Sequence, residues 1–126
     1  MRRHIMRDLK VLVTTEDAER LRGSLVLACA QAALGGQASL FFQLDAVGLL
    51  KPPISAPQDA NHQAAGLPTL ATLIDEALNL GVVLTACQSG LTLCQLTAGD
   101  LPKGVDIGGP VSFLQATDDQ ARLLVI

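Results

Sequence analysis

The residue best placed for chemistry is Cys87, which follows Ala86 and the apolar, strand-like residues 81–85. A helical pattern starts immediately after it. The sequence therefore predicts a cysteine at the turn between a buried parallel strand and the next helix, where open α/β sheets bind ligands. A helix N-terminus favours the thiolate, so we interpret Cys87 as a nucleophile or sulfur carrier. The alternative is a buried structural thiol, because free cysteines are among the most buried residues.

The two residues that lie within the turn after Cys87, Ser89 and Gly90, are candidates for contacting the substrate. Backbone N–H groups at this turn can stabilise a sulfur anion. The Ser89 hydroxyl could hydrogen-bond to the thiolate or cap the helix, and capping is favoured.

The other cysteines and the loop histidine are interpreted as structural or solvated. Cys94 lies seven residues after Cys87, which on a continuous helix is about 10 Å along the axis, too far for a disulfide. Core packing is favoured for Cys94 and for Cys29, which shares a face with other apolar residues of its helix. His62 is favoured as a solvated loop residue over an acid or base. We therefore expect Cys87 to alkylate fastest of the three cysteines.

Composition excludes several classes of function. A net charge of −3 and an aromatic fraction of 2% argue against a nucleic-acid partner, which would require a basic surface and stacking side chains. Arg2, Arg3, Arg7 and Lys10 cluster near the start and are interpreted as a frayed, solvated end rather than a binding arm. No apolar segment is long enough to cross a membrane, so no membrane partner is expected. The three cysteines are odd in number and lack zinc-type spacing, and with only two histidines no metal site and no cofactor are expected. Free thiols fit a reducing compartment, so a cytoplasmic location is predicted.

Strands and helices alternate along the chain. The apolar runs at 9–13, 38–42, 82–85, 105–107 and 122–126 are predicted as strands. Helices are predicted between them, the first capped by Thr14 or Thr15, with others at 69–80, 90–96 and 111–116. Residues 51–68 contain four prolines and are predicted as a mobile loop within a single domain spanning 1–126. This alternation predicts an α/β fold with a mostly parallel sheet and helices on both faces.

The order of these segments resembles the DsrE/DsrF-like family of small sulfur-relay proteins. The resemblance rests on the strand at 9–13, Leu-Phe-Phe at 40–42, Leu-Thr-Ala-Cys at 84–87, Gly-Val-Asp-Ile-Gly-Gly at 104–109, and Phe-Leu at 113–114. The resemblance implies a three-layer α/β/α sandwich with five or six strands. It also implies a homo- or hetero-oligomer, often a trimer or hexamer, and a persulfide carried on Cys87. The peroxidase arrangement Thr-x-x-Cys is absent from the sequence.

Three functions remain open at this point. The first is a small sulfur-relay protein, a sulfur carrier or sulfurtransferase, that exchanges sulfane sulfur with donor and acceptor proteins through Cys87. The second is a non-catalytic oligomeric binding or assembly module in which Cys87 is structural. The third is a thiol redox sensor, although the spacing offers Cys87 no partner within the chain.

Overall fold

The computed structural model describes residues 6–126, and a parallel sheet of five strands forms its centre. Of the predicted solvated basic end, Arg2 and Arg3 lie outside the described residues, Arg7 is exposed, and Lys10 is half-buried in the first strand rather than frayed. The strands are β1 (Leu9–Val13), β2 (Ala38–Phe42), β3 (Val83–Cys87), β4 (Asp106–Gly108) and β5 (Arg122–Val125). Their spatial order is β4-β3-β2-β1-β5, and all four pairings are parallel. The predicted α/β fold with a parallel sheet is confirmed.

Five α-helices connect these strands: α1 (Ala18–Ala33), α2 (Asp59–Ala64), α3 (Leu70–Asn79), α4 (Gln88–Leu93) and α5 (Pro110–Gln115). Short 3₁₀ helices lie at Leu44–Leu50 and Ala98–Asp100. The cap of α1 is Asp17 rather than Thr14 or Thr15, because its carboxylate accepts the Glu19 N–H at 2.8 Å. The proline at the first position of α5 confirms the predicted start of that helix to within one residue.

The two faces of the sheet are covered unequally. Alternate residues of β1, including Val11 and Val13, are fully buried on the face that α1 and α3 cover. On the opposite face Phe41 of β2 stacks on Phe113 of α5, with ring centroids 5.1 Å apart. Helices therefore lie on both faces, which confirms the sandwich.

The proline-rich segment 51–68 is more ordered than the sequence predicts. It contains helix α2, and Asp59 at the start of this helix accepts the Ala56 and Leu70 N–H groups at 2.9 Å each. Pattern reasoning missed this helix because six residues with no buried side chain show no amphipathic period.

Candidate functional site

Cys87 is the last residue of β3, which lies between β2 and β4 inside the sheet. The chain passes directly from this strand into α4, so Cys87 is also the N-cap of the helix. Its Sγ atom accepts the Gly90 N–H at 3.3 Å. The predicted position of Cys87, at the carboxyl end of an internal parallel strand, is confirmed.

Ser89 does not cap α4, which is the role that the sequence favours. The expected capping by Ser89 is wrong, because the strand leaves no linker and the cap falls on Cys87 itself. Ser89 is exposed at the second position of α4, and its hydroxyl makes no hydrogen bond within residues 6–126. It is free to contact a molecule that approaches this edge of the sheet.

Gly90 is buried where α4 meets the 3₁₀ helix. A Cβ atom at this position would lie 2.4 Å from Cγ2 of Val47 and 2.6 Å from the carbonyl oxygen of Leu44. Leu44 has a positive φ of 52°, an uncommon conformation for a residue with a side chain. The absence of a side chain at Gly90 thus allows this close approach, which also places its N–H at the sulfur of Cys87.

The charges around the carboxyl end of the sheet are acidic. Residues 14–17 and 43–50, which directly follow β1 and β2, carry Glu16, Asp17 and Asp45 but no lysine or arginine, and Lys51 comes directly after the second of these segments. The contact that these residues offer the Cys87 sulfur is therefore the Gly90 N–H at 3.3 Å, with no lysine or arginine from residues 14–17 or 43–50 beside it. The Cys87 residue is only 3% exposed, so a reacting molecule requires local opening.

The other two cysteines pack against the core. Cys29 is half-buried on α1, and burial, assisted by the negative charge of Glu76, raises the pKa of its thiol. Cys94 is half-buried just after α4, with Sγ close to Gly48 of the 3₁₀ helix. The favoured structural role of both residues agrees with these positions. The helix predicted over 90–96 ends earlier, at Leu93.

A buried arginine forms a polar network that sequence reasoning missed. Arg22 of α1 is 4% exposed, and its guanidinium donates to Glu19 Oε1 at 3.1 Å, Asp59 Oδ1 at 2.7 Å and the Pro68 carbonyl at 3.0 Å. Three acceptors thus satisfy the charge. The network joins α1 to the first residue of α2 and to Pro68, the last residue of the proline-rich segment. Only the i,i+3 spacing of Glu19 and Arg22 is visible in the sequence.

His62 belongs to the same network. Its Nε2 atom lies 3.0 Å from Glu19 Oε2, and its ring is half-buried on α2. The interpretation of His62 as a solvated loop residue is wrong, because α2 places the ring against α1. The contact gives His62 a structural partner 43 residues away in the sequence.

The network changes the acidity of its members. Burial alone would raise the pKa of Asp59, but hydrogen bonds from Arg22 and from two backbone N–H groups hold this pKa below its usual range. Burial would likewise raise the pKa of Glu19, whereas hydrogen bonds from His62 and Arg22 lower it. Both carboxylates are therefore negatively charged at neutral pH, and they compensate the positive charge of the buried Arg22 guanidinium.

Residues 6–126 contain neither a metal-binding cluster nor a membrane-spanning helix. No three His, Cys, Asp or Glu side chains in this range are grouped so that they could hold a metal ion. No helix in the same range is both long and apolar enough to cross a membrane.

Comparison with known proteins relates this chain to others through its fold. No protein-family model and no curated protein matches the sequence. Among solved structures, the ychN protein from E. coli is similar with a TM-score of 0.76 at 19% identity, covering 96% of this chain and 100% of that chain. MTH1491 from Methanobacterium thermoautotrophicum, a protein of unknown function, is similar with a TM-score of 0.72 at 14% identity and the same coverage.

A third similar structure is BT1422 from Bacteroides thetaiotaomicron, a conserved protein of unknown function. It has a TM-score of 0.69 at 18% identity and covers 94% of both chains. The three similarities extend over nearly the whole chain, so this protein shares their small α/β fold. Identities this low establish the fold alone.

Proposed function

We propose that this protein is a small sulfur-relay protein that carries sulfane sulfur as a persulfide on Cys87. The observation that supports the proposal most is the hydrogen bond from the Gly90 N–H to Cys87 Sγ at the carboxyl end of an internal parallel strand. This is where the fold class binds ligands. The DsrE/DsrF-like pattern of the sequence, including Leu-Thr-Ala-Cys at 84–87, supports the same chemistry.

The proposed reaction uses a hydropersulfide donor, R–S–SH. The Cys87 thiolate attacks the outer sulfur of the donor, the bond between the two donor sulfurs breaks, and the donor leaves as the thiolate R–S⁻. Cys87 then holds S–SH. Attack by an acceptor thiolate on this outer sulfur returns Cys87 to the thiolate. The proposal places Ser89 and Gly90 at the entering sulfur, with donor and acceptor proteins as partners in the cytoplasm.

Incubation with a sulfane-sulfur donor, followed by intact mass measurement, tests this proposal. We expect the wild type to gain about 32 Da, the mass of one sulfur atom, and to lose it on reduction. Cys87→Ser should gain nothing, whereas Cys94→Ser, which removes a half-buried thiol near the same helix, should gain sulfur like the wild type. Equal gain in wild type and Cys87→Ser would contradict the proposal.

The burial of Cys87 favours a second candidate, a non-catalytic oligomeric assembly module of the same fold. A thiol that is 3% exposed, with no lysine or arginine in residues 14–17 and 43–50, also suits a purely structural role. Under either function we propose a homo-oligomer, of the trimer or hexamer kind that the family resemblance implies.

Alkylation rates distinguish the two candidates. We expect Cys87 to react with iodoacetamide faster than Cys29 or Cys94 at neutral pH. The reason is that its Sγ atom lies at the N-terminus of α4 and accepts a hydrogen bond from the Gly90 N–H. The burial of Cys87 slows its labelling, because the reagent reaches the sulfur only when the structure around it opens locally. Labelling can be followed residue by residue through peptide masses. If Cys87 labels no faster than Cys94, the assembly module is preferred.

A further inference from the structure

The two edges of the sheet are built differently. The outer strand β4 is three residues long, starts with the charged Asp106 and ends at Gly108, so it offers little to another strand. The opposite outer strand, β5, has the sequence Arg-Leu-Leu-Val and is exposed at all four positions. It contains no proline, no glycine and one charge, at its first residue. Edge strands of this second kind readily pair with another strand.

The hydrogen bonds to β1 show which backbone groups of β5 point away from the sheet. Arg122 N–H donates to Asp8 at 2.8 Å and Ile126 N–H donates to Leu12 at 2.9 Å, so even-numbered residues of β5 face β1. The N–H and C=O groups of Leu123 and Val125 therefore point away from the sheet. Within residues 6–126 no strand lies beyond β5 to receive them.

The residue before the strand is already occupied. The Ala121 N–H bonds to the side chain of Asp118 at 2.9 Å, and its carbonyl accepts a hydrogen bond from Arg7 at 3.3 Å. Within residues 6–126, the outward groups without a hydrogen-bond partner are thus confined to two positions, Leu123 and Val125. This limits the registers in which a second strand can pair with β5.

Both faces of β5 are apolar. Leu123 and Val125 are 47% and 62% exposed on the face that carries α5. On the opposite face Leu124 borders a hollow of about 410 Å³, whose apolar wall includes Leu9, Leu27 and Leu34. Burying these side chains would add a hydrophobic contribution to the backbone hydrogen bonds.

We propose that β5 pairs antiparallel with β5 of a second copy of this chain, about a two-fold axis through Leu124. In this register Leu123 of one copy exchanges two hydrogen bonds with Val125 of the other, and the symmetric pair does the same. Every free outward group is then satisfied. Leu124 lies opposite its own copy, next to the hollow, and the two sheets become one continuous sheet of ten strands.

The two-fold contact restricts the assembly. An interface of this type joins identical surfaces, so it occurs in a dimer and in a hexamer made of two trimers, but not in an isolated trimer. The inference concerns a different edge of the protein from Cys87 and does not rest on sulfur transfer. Loss of β5 pairing is measured by cross-linking and light scattering, whereas loss of the persulfide on Cys87 is measured by intact mass.

Cysteine cross-linking tests the register. Opposed residues of a non-hydrogen-bonded antiparallel pair have Cα atoms about 4.5 Å apart, which permits a disulfide. Leu124→Cys should therefore cross-link to its copy under mild oxidation. In Leu123→Cys, the matched control, the two Cα atoms would be more than about 8 Å apart. We expect about tenfold more cross-linked dimer for Leu124→Cys, identified by the mass of the linked peptide; equal yields would overturn the register.

Light scattering tests the interface without oxidation. Val125→Pro removes only an outward N–H group, so the bonds to β1 stay intact, and we expect it to halve the mass of the assembly. Val125→Thr keeps the N–H group and the strand preference, and should leave the mass unchanged. A monomeric or trimeric wild type, or a Val125→Pro variant with the wild-type mass, would overturn the proposal. A wild type that pairs only after removal of residues 1–5 would show that this segment covers β5, and would overturn it as well.

Discussion

Gly90→Ala is expected to lower the free energy of unfolding by about 2 kcal/mol or more. Its new Cβ would stand 2.4 Å from Val47 and 2.6 Å from the Leu44 carbonyl oxygen, and neither can yield easily. Val47 is fully buried, and the Leu44 oxygen belongs to the backbone. The shift needed to relieve the contact also moves the Gly90 N–H from Cys87, so sulfur loading should fall together with stability.

The control for this variant is Gly23→Ala. Gly23 lies within α1, and a Cβ atom there has nothing within 4 Å. Alanine is a better helix former than glycine by about 1 kcal/mol, so this variant should be slightly more stable than the wild type. Urea unfolding of both variants measures the difference. A Gly90→Ala variant as stable as Gly23→Ala would show that α4 does not pack on the 3₁₀ helix as described.

Asp59→Asn is expected to lower the free energy of unfolding by about 1.5–3 kcal/mol at pH 7, the range for a hydrogen bond to a charged group. The substitution removes the negative charge opposite Arg22, whose side chain is buried on α1. The amide also places its NH₂ group in one of the two oxygen positions, against either the Ala56 N–H or the donors of Arg22 and Leu70, where only an acceptor fits. Urea unfolding at pH 7 measures the loss.

The same contribution should depend on pH. Because the network lowers the pKa of Asp59, the folded state favours the charged form more than the unfolded chain does. The stabilisation is therefore fully present above the unfolded pKa of about 3.9 and disappears as pH falls through the folded value. The difference in the free energy of unfolding between wild type and Asp59→Asn should therefore become smaller as the pH falls below the unfolded pKa of about 3.9. Asp75→Asn, an exposed position on α3, is the control and should show a small, constant difference.

Much of the candidate site follows from local sequence. The apolar residues before Cys87 predict a buried strand, and the helical pattern after it fixes a strand-to-helix turn. The Cys87 thiol is therefore at the carboxyl end of the sheet in both prediction and structure. The contacts around it depend on a distant segment, because the 3₁₀ helix at Leu44–Leu50 supplies the surface that Gly90 packs against. The residues adjacent to Gly90 in the sequence do not indicate that it packs against this 3₁₀ helix.

The sequence by itself determined the order of the five strands, the parallel sheet and the position of Cys87, because these follow from hydrophobic periodicity and from the short-range chemistry of turns. Only the tertiary structure decided that Cys87 is buried, that Arg22 joins α1 to Asp59, and that His62 contacts Glu19. These contacts join residues 37 to 43 positions apart, and a proline-rich segment shows no period from which they could be predicted. Burial and long-range pairing depend on how the elements pack, and that is settled by the chain as a whole.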